Sequence, residues 1–178
     1  ALELESFFIG GHPMAGSEKT GYQAATAYLL ENAYYILTPT AKTDTAVLHA
    51  FRDYIASLGS VPMIMDAKTH DHATASISHL PHIIASSLVN LIRETDDENE
   101  TMKTIAAGGF KDITRIASSS PVMWQHICAS NREQILTLID RYTEELNTMR
   151  SLIAERKEME IYEFFSHAKD YRDSITIT

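Results

Sequence analysis

Four histidines lie close together in one apolar part of the sequence. His70, His72, His79 and His82 fall within thirteen residues, among alanine, isoleucine, leucine and serine. On an unbroken helix that advances about 100° per residue, His72 and His79 point almost the same way, and His82 lies about 60° further round. Imidazole is a general base and a metal ligand near neutral pH. The spacing therefore predicts a pocket wall that handles a proton or an ion.

Pro81 interrupts the predicted helix, which covers residues 69–93. Its ring removes the hydrogen bond to the carbonyl of Ile77 and clashes with the preceding turn, so we expect a kink beside the histidines. One alternative is that these histidines are core residues with local hydrogen bonds. Another is a zinc site, but Cys128 is distant and no carboxylate lies one turn away on that face. We therefore predict no metal site.

His12 is a second candidate for chemistry. It follows residues 6–9, an apolar run that predicts a buried strand ending in a tight turn at Gly10 and Gly11. In open α/β sheets, groups that contact ligands lie just past the carboxyl ends of strands. His12 is therefore expected at a ligand site, and the alternative is a histidine in a surface loop.

The first third of the chain predicts a small piece of α/β structure. Residues 34–38 and 61–65 have the apolar composition of strands. Between them, residues 45–58 predict a helix with Asp44 as its N-cap and Gly59 as its stop. Strand, helix and strand in this order make a βαβ unit, and hence part of a parallel sheet.

After Asp66 the pattern is wholly helical. Ser120 predicts an N-cap for a helix over residues 122–129, and residues 131–167 predict one long amphipathic helix. The predicted fold class is therefore mainly α. We expect the C-terminal part of a Rossmann-like α/β domain at residues 1–66, followed by an all-helical dimerisation domain at residues 67–178.

Composition excludes several classes of protein. The net charge of −9, from 15 basic and 24 acidic residues, argues against a nucleic-acid surface. One cysteine excludes an internal disulfide and is typical of the cytoplasm. No run of eighteen apolar residues is present, so we expect no membrane span. The long C-terminal helix has an apolar stripe that a chain of this size cannot cover, which predicts a homodimer.

Three segments together resemble the prephenate dehydrogenase family of tyrosine biosynthesis. They are GGHPMAGSE at residues 10–18, SHLPH at 78–82 and GGFKDITRIASSSPVMW at 108–124. The resemblance runs from about residue 8 to residue 172. It implies oxidative decarboxylation of prephenate to 4-hydroxyphenylpyruvate with NAD, by a Rossmann domain followed by a helical dimerisation domain. The glycine-rich dinucleotide fingerprint is missing, so NAD is expected to bind mainly to an absent N-terminal part, and the chain alone is expected to be inactive.

The resemblance also implies roles for individual residues. His12 matches the catalytic base that takes the proton of the ring hydroxyl, a task suited to a pKa near neutrality. Arg115 matches the arginine that binds a substrate carboxylate through its planar fork. Trp124 matches a tryptophan that reaches the neighbouring subunit's site, and the alternative is plain dimer core.

Other matched positions are expected to surround the substrate. Ser78, His79 and His82 match a helix wall that faces it. Five more match positions that shape or orient the pocket: Ser17, Glu18, Gly108, Gly109 and Asp112.

Three alternatives stay open at this point. The substrate can be arogenate, which has an amine in place of the side-chain keto group of prephenate. The chain can be a dimeric helical module that binds or regulates without catalysis, although such a module has no need of a base at His12. A metal-binding helical protein is the third class.

Overall fold

The computed structural model of the chain describes residues 4–16, 21–26 and 28–175. Its sheet has three strands in the order β1 (Ile9–Pro13), β2 (Tyr34–Pro39) and β3 (Val61–Ile64). Strands β2 and β3 are parallel, and helix α1 (Thr45–Ser57) connects them. The predicted βαβ unit is therefore confirmed.

The prediction for the first strand is wrong. Residues Glu5–Phe7 form a short 3-10 helix, and β1 begins at Ile9, so that Gly10 and Gly11 lie inside the strand and not in a turn. Gly10 pairs with Thr38, and a Cβ atom at Gly10 would clash with the Oγ1 atom of that threonine. Glycine is needed here because the neighbouring strand's side chain fills the space, and not because the chain turns.

His12 consequently lies within β1 and not past the end of a strand. Strand β1 runs antiparallel to β2, with His12 opposite Ile36 and Pro13 opposite Tyr35. The end of β1 therefore lies beside the beginning of β2. The rule that ligands sit at carboxyl ends of parallel strands does not apply here, because the strand that carries His12 runs the other way.

Helix α1 has the ends that the sequence predicts. The side chain of Asp44 accepts hydrogen bonds from the backbone N–H groups of Ala46 and Val47, at 2.7 and 3.1 Å. Gly59 follows the helix with a φ of 86°, a conformation that glycine adopts without strain. Ile55 of α1 and Leu37 of β2 are buried, so the helix covers one face of the sheet.

The histidine-rich helix is interrupted, as Pro81 predicts. Helix α2 (Ala67–Thr74) passes into a π-helical segment (Ala75–His79), and helix α3 (Leu80–Thr95) follows with Pro81 in its first turn. At the junction the N–H of Leu80 donates to the carbonyl of Ala75, five residues back. The wider turn accommodates a proline that cannot donate its own hydrogen bond.

Residues Ala67–Thr95 form a helical stretch of 29 residues whose most apolar window has a mean hydropathy of 1.2. By length and composition alone it meets the minimum for crossing a membrane. A single helix of this kind is weak evidence, because core helices of soluble proteins meet the same test. The absence of a membrane span stays a prediction.

Three shorter helices and a 3-10 turn follow. Ser120 caps the last of these helices by accepting a hydrogen bond from the N–H of Met123 at 3.4 Å, which confirms the predicted cap. The segments are α4 (Thr101–Ile105), α5 (Gly108–Thr114), a 3-10 helix (Arg115–Ser118) and α6 (Pro121–Ser130).

The prediction of one long C-terminal helix is wrong. Helix α7 (Arg132–Ala154) and helix α8 (Glu158–Ser174) are separated at Arg156, which has a φ of 54°. The N–H of Arg156 donates to the carbonyl of Ile153, and the N–H of Lys157 donates to that of Leu152. These two bonds form a Schellman motif, which ends a helix at a left-handed residue. Glycine usually occupies that position, so an arginine gave no signal in the sequence.

The chain separates into two compact units, Ala1–Ile135 and Leu136–Thr178. The first contains the sheet and the helices up to α6, and the second contains α8 and most of α7. A domain boundary between residues 66 and 67 stays a prediction.

Candidate active site

One open cavity of about 540 Å³ lies in the first unit, between β1, the π-helical segment, the 3-10 helix and α6. Its lining brings together side chains from residues 12 to 127, which are far apart in sequence. The predicted site residues that line it are His12, Ser78, His79, His82, Arg115 and Trp124.

The other predicted positions do not line this cavity. Gly108 and Gly109 form the first turn of α5, where a Cβ atom on either would contact nothing within 4 Å. Asp112 lies exposed in the same helix. Ser17 and Glu18 fall outside the residues that the structure describes. Roles for these five positions stay predictions.

Some lining residues gave no signal in the sequence. Thr74 is 3% exposed and borders both this cavity and a second, smaller one of about 320 Å³. A buried threonine within a helical pattern does not differ from an ordinary core residue, so only packing identifies it. The lining also includes Ile127, which likewise gave no signal, and Met14, Ser119 and Met123, which lie within the segments that resemble the family.

His12 is joined to the histidine cluster by a direct contact. Its Nδ1 atom lies 2.8 Å from Nε2 of His70, and the two rings meet edge to face with centroids 5.1 Å apart. Nδ1 of His70 lies 2.9 Å from a carboxylate oxygen of Asp71. Residue 12 and residue 70 come from different elements, so this contact fixes β1 against α2.

His72 does not belong to the pocket wall, contrary to the sequence prediction. Its Nδ1 atom lies 3.0 Å from Oε1 of Gln134, and it lines neither cavity. The prediction assumed about 100° per residue from His72 to His79. The π-helical segment between them turns less per residue, which shifts the phase and brings His70, not His72, to the site.

An aromatic wall closes one side of the cavity. The indole of Trp124 packs against His82, with ring centroids 4.0 Å apart, and meets His79 edge to face at 6.0 Å. Trp124 thus lies at its own chain's cavity, and a role at a neighbouring subunit's site stays a prediction. Nδ1 of His79 also lies 3.4 Å from Nδ2 of Asn131.

Three buried polar atoms of the described residues have no hydrogen-bond partner. They are Oγ1 of Thr74, Nδ1 of His82 and Nε1 of Trp124. An unpaired buried polar group costs about 1–3 kcal/mol, and most such groups in folded proteins are paired. All three belong to side chains that line the larger cavity, where a polar ligand can satisfy them.

The histidines of the cavity are held in their neutral form. Burial lowers the pKa of His12, and the nearby His70 lowers it further. Burial is also the main cause that lowers the pKa of His79, with His12 and His70 adding to it. For His82, burial and the Arg115 cation lower the pKa against an opposing backbone hydrogen bond. Each of these imidazoles therefore accepts a proton less readily than in water but is available as a base at neutral pH.

Within the described part of the chain, no group of three or more histidine, cysteine, aspartate or glutamate side chains is placed to hold a metal ion. What the cavity offers instead is a neutral imidazole, an arginine and several unpaired polar atoms. This set suits proton transfer and the binding of a carboxylate.

Two family profiles match the chain. Residues 66–167 match "Prephenate dehydrogenase, dimerization domain", and residues 2–64 match "Prephenate dehydrogenase, nucleotide-binding domain".

Curated and solved proteins agree with these matches. The chain is 42% identical over 170 residues to the prephenate dehydrogenase of Bacillus subtilis, covering 96% of this chain and 46% of that protein. It resembles the crystal structure of Aquifex aeolicus prephenate dehydrogenase in complex with hydroxyphenyl propionate and NAD+, with a TM-score of 0.90 and 36% identity. That match covers 96% of this chain and 60% of the other. Synechocystis arogenate dehydrogenase gives a TM-score of 0.84 at 30% identity, over 93% and 60% of the two chains.

Proposed function

Since the chain belongs to the prephenate dehydrogenase family, we propose that it supplies the substrate site and the dimer interface of an enzyme that oxidatively decarboxylates prephenate to 4-hydroxyphenylpyruvate. The chain spans about half the length of the curated relatives it matches, so the activity belongs to a larger protein. One observation carries the proposal: His12, neutral and half-buried, faces the same cavity as three buried polar atoms that have no partner.

His12 is the base in this proposal. Its Nδ1 atom is occupied by His70, which leaves Nε2 for the substrate. Nε2 takes the proton of the ring hydroxyl as the carbonyl forms. The bond from the ring to its carboxylate then breaks, carbon dioxide leaves, and the electron pair of that bond makes the ring aromatic. The new phenolate oxygen takes the proton back from His12, so the hydroxyl proton is not lost to solvent.

Arg115 binds a carboxylate of the substrate. Prephenate has two carboxylates, and the chain as a whole has a net charge of −9, so a local cation is needed to hold a dianion. A guanidinium binds a carboxylate through two parallel hydrogen bonds. The N–H of Trp124 and the hydroxyl of Thr74 offer further donors to the substrate's oxygens.

The cofactor of the proposed reaction is NAD, which the chain fits only in part. A cavity of about 540 Å³ suits a small ligand, and its imidazoles suit the reacting end. No G-x-G-x-x-G turn for a pyrophosphate occurs in the sequence, so the dinucleotide is held mainly outside this chain. When bound, NAD supplies the acceptor for the hydride that leaves the ring carbon.

Two features support a homodimer. The most apolar window of Ala67–Thr95 is only 11% buried within the chain, and the matched family segment is a dimerisation domain. Surfaces of this kind are covered by a second subunit. The acidic charge argues against nucleic acid as a partner, and a cytoplasmic location stays a prediction.

Arogenate is the second candidate substrate, favoured by the similarity to Synechocystis arogenate dehydrogenase. It differs from prephenate only in the side chain, where an ammonium group replaces the keto oxygen. The proposed chemistry at His12 is the same for both. A dimeric binding module without catalysis is the remaining alternative.

The proposed function can be tested in a protein that joins this chain to a complete nucleotide-binding domain of the family. The reduction of NAD is measured with prephenate or with arogenate as the substrate. We expect reduction with release of carbon dioxide for one substrate, undiminished by a metal chelator. His12→Asn should lower kcat by about 10²–10⁴ with little change in KM, the usual worth of a general base. A folded protein that binds prephenate yet reduces no NAD with either substrate would be a binding module, and the proposal would be wrong.

A further inference from the structure

We propose that His70 and Asp71 are positioning residues for His12, which fix the nitrogen it uses as a base and stabilise it once it is protonated. The inference rests on the proposed role of His12. Three side chains form one hydrogen-bonded chain: Nδ1 of His12 lies 2.8 Å from Nε2 of His70, and Nδ1 of His70 lies 2.9 Å from Oδ1 of Asp71.

The direction of these hydrogen bonds follows from the carboxylate. An ionised carboxylate only accepts, so Nδ1 of His70 carries a hydrogen. In a neutral imidazole the other nitrogen is then bare, so Nε2 of His70 accepts from Nδ1 of His12. His12 consequently has its lone pair on Nε2. The proton positions are assigned from this network of contacts.

The positions of His70 and Asp71 are themselves supported. They lie next to each other in α2, whose N-terminus is capped by Asp66 through the N–H of Thr69 at 3.0 Å. The side-chain amide of Asn131, at the end of α6, donates to the backbone carbonyl of Asp71 at 2.8 Å. The pair is therefore held by a cap at the N-terminus of its own helix and by one contact from the end of α6.

Charge explains the role that we assign to the carboxylate of Asp71, which contacts His70 and not His12 itself. A protonated His12 would face His70 from α2, His79 from the π-helical segment and the Arg115 cation across the larger cavity. None of these favours a second positive charge. Among the described residues that line the two cavities, Asp71 is the one carboxylate.

The proton balance of the reaction fits this arrangement. His12 takes the hydroxyl proton and later returns it to the phenolate oxygen, so the proton must stay on His12 between the two steps. A carboxylate that acts through His70 stabilises the imidazolium without removing its proton from the site. Hydrogen-bonded partners of metal-binding histidines change activity by about 10–100-fold when they are removed, and we expect an effect of that order for the partner of a catalytic histidine. Asp71 has a side chain 52% exposed, which places its own effect at the lower end of that range.

The first test is direct and does not depend on catalysis. Nitrogen NMR of the chain labelled at its histidines reports which nitrogen of His12 carries the hydrogen. We expect Nδ1–H in the wild type and a mixture of both tautomers in His70→Leu. His70→Gln, whose side-chain oxygen can accept from Nδ1, should restore the wild-type tautomer. His72→Leu is the matched control on the same helix, because His72 lines neither cavity.

The second test is kinetic, in the protein with a complete nucleotide-binding domain. Asp71→Asn keeps an oxygen that accepts from His70 but removes the charge. We expect kcat to fall about tenfold with KM nearly unchanged. The acid limb of kcat/KM should move to lower pH, because the imidazolium of His12 loses its stabilising anion.

An unchanged tautomer in folded His70→Leu, or an unchanged acid limb in Asp71→Asn, would overturn the inference. A protein that is inactive with every substrate but has the expected tautomer would instead refute the proposed function. The two failures are therefore distinguishable.

Discussion

The imidazole of His82 packs on the indole of Trp124 with ring centroids 4.0 Å apart and planes inclined by 30°. The contact joins α3 to α6 and leaves Nδ1 of His82 and Nε1 of Trp124 buried without partners. Packing two polar heterocycles in this way keeps both unpaired nitrogens at the edge of the cavity. The wall is therefore formed before a ligand arrives, which lowers the cost of binding.

Trp124→Phe separates the packing of the aromatic ring against His82 from the hydrogen bond that the indole N–H is proposed to donate to the substrate. Phenylalanine retains an aromatic ring against His82 but has no N–H to donate. A hydrogen bond of about 1–2 kcal/mol is lost from the complex, so we expect KM to rise about 5- to 30-fold. The melting temperature should change little, because removing the unpaired N–H offsets the packing that is lost with the smaller ring. A lower melting temperature with an unchanged KM would show that Trp124 is needed only for packing.

Arg115 offers a second test of substrate binding. Hydrogen bonds to charged groups contribute about 1.5–3 kcal/mol each, so Arg115→Ala should raise KM at least tenfold and change kcat much less. Arg115→Lys should recover only part of the loss, because an ammonium keeps the charge without the planar fork. KM and melting temperature are measured on the same variants. A fall in melting temperature with wild-type KM would assign Arg115 to a structural contact.

The histidine cluster should make stability depend on pH. Folding lowers the pKa of His12, His79 and His82 below the ordinary value of 6.5, so the unfolded chain binds more protons in that region. The free energy of unfolding is therefore highest above about pH 6.5, as far as these histidines determine it. It decreases as the pH falls through their lowered pKa values.

Urea unfolding between about pH 8 and pH 5 measures this dependence. The double variant His79→Asn, His82→Asn should flatten the curve, and His49→Asn, on the exposed face of α1, should not. Asp66 and Asp97 have lowered pKa values, below 3.8, and do not interfere in this range. Equal slopes in the double variant and the wild type would exclude the cluster as the cause.

The break between α7 and α8 gives a prediction about stability alone. Arg156 has a φ of 54°, which costs a residue with a side chain about 1–2 kcal/mol relative to glycine. Arg156→Gly should therefore stabilise the chain by about 0.5–1 kcal/mol, after the entropy cost of glycine. Arg150→Gly, in the interior of α7, should destabilise it by about 1 kcal/mol. Equilibrium unfolding in urea checks both, and a destabilised Arg156→Gly would contradict the left-handed assignment.

Helix α8 predicts association of the chain. Met159, Tyr162 and Phe165 are 66%, 69% and 62% exposed and follow one another at three-residue steps. We expect a dimer by sedimentation at micromolar concentration, because such a stripe is unfavourable in water. Tyr162→Glu with Phe165→Glu should shift the chain toward monomer, and Glu160→Ala on the other face should not. A wild-type monomer under these conditions would refute the prediction.

The sequence by itself determined the parts of this protein that depend on near neighbours. Asp44 and Ser120 each cap a helix through an N–H group two or three residues away, and Pro81 interrupts a helix through its own ring. The segments that carry His12, Arg115 and Trp124 were recognised by the order of their residues. The caps and the proline act within one turn of chain, and none of these signals requires knowledge of the fold.

Tertiary structure alone decided which of these residues meet. His12 and His70 are 58 positions apart, and their contact depends on β1 running antiparallel to β2 and on a π-helical segment that shifts the phase of the histidines. Thr74 borders both cavities and Asn131 borders the smaller one, and only the contact between α2 and the end of α6 brings them together. Arg156 ends α7 through a left-handed backbone conformation, which an arginine in the sequence does not predict. Contacts across such distances form when elements pack together, and no local pattern of side chains encodes them.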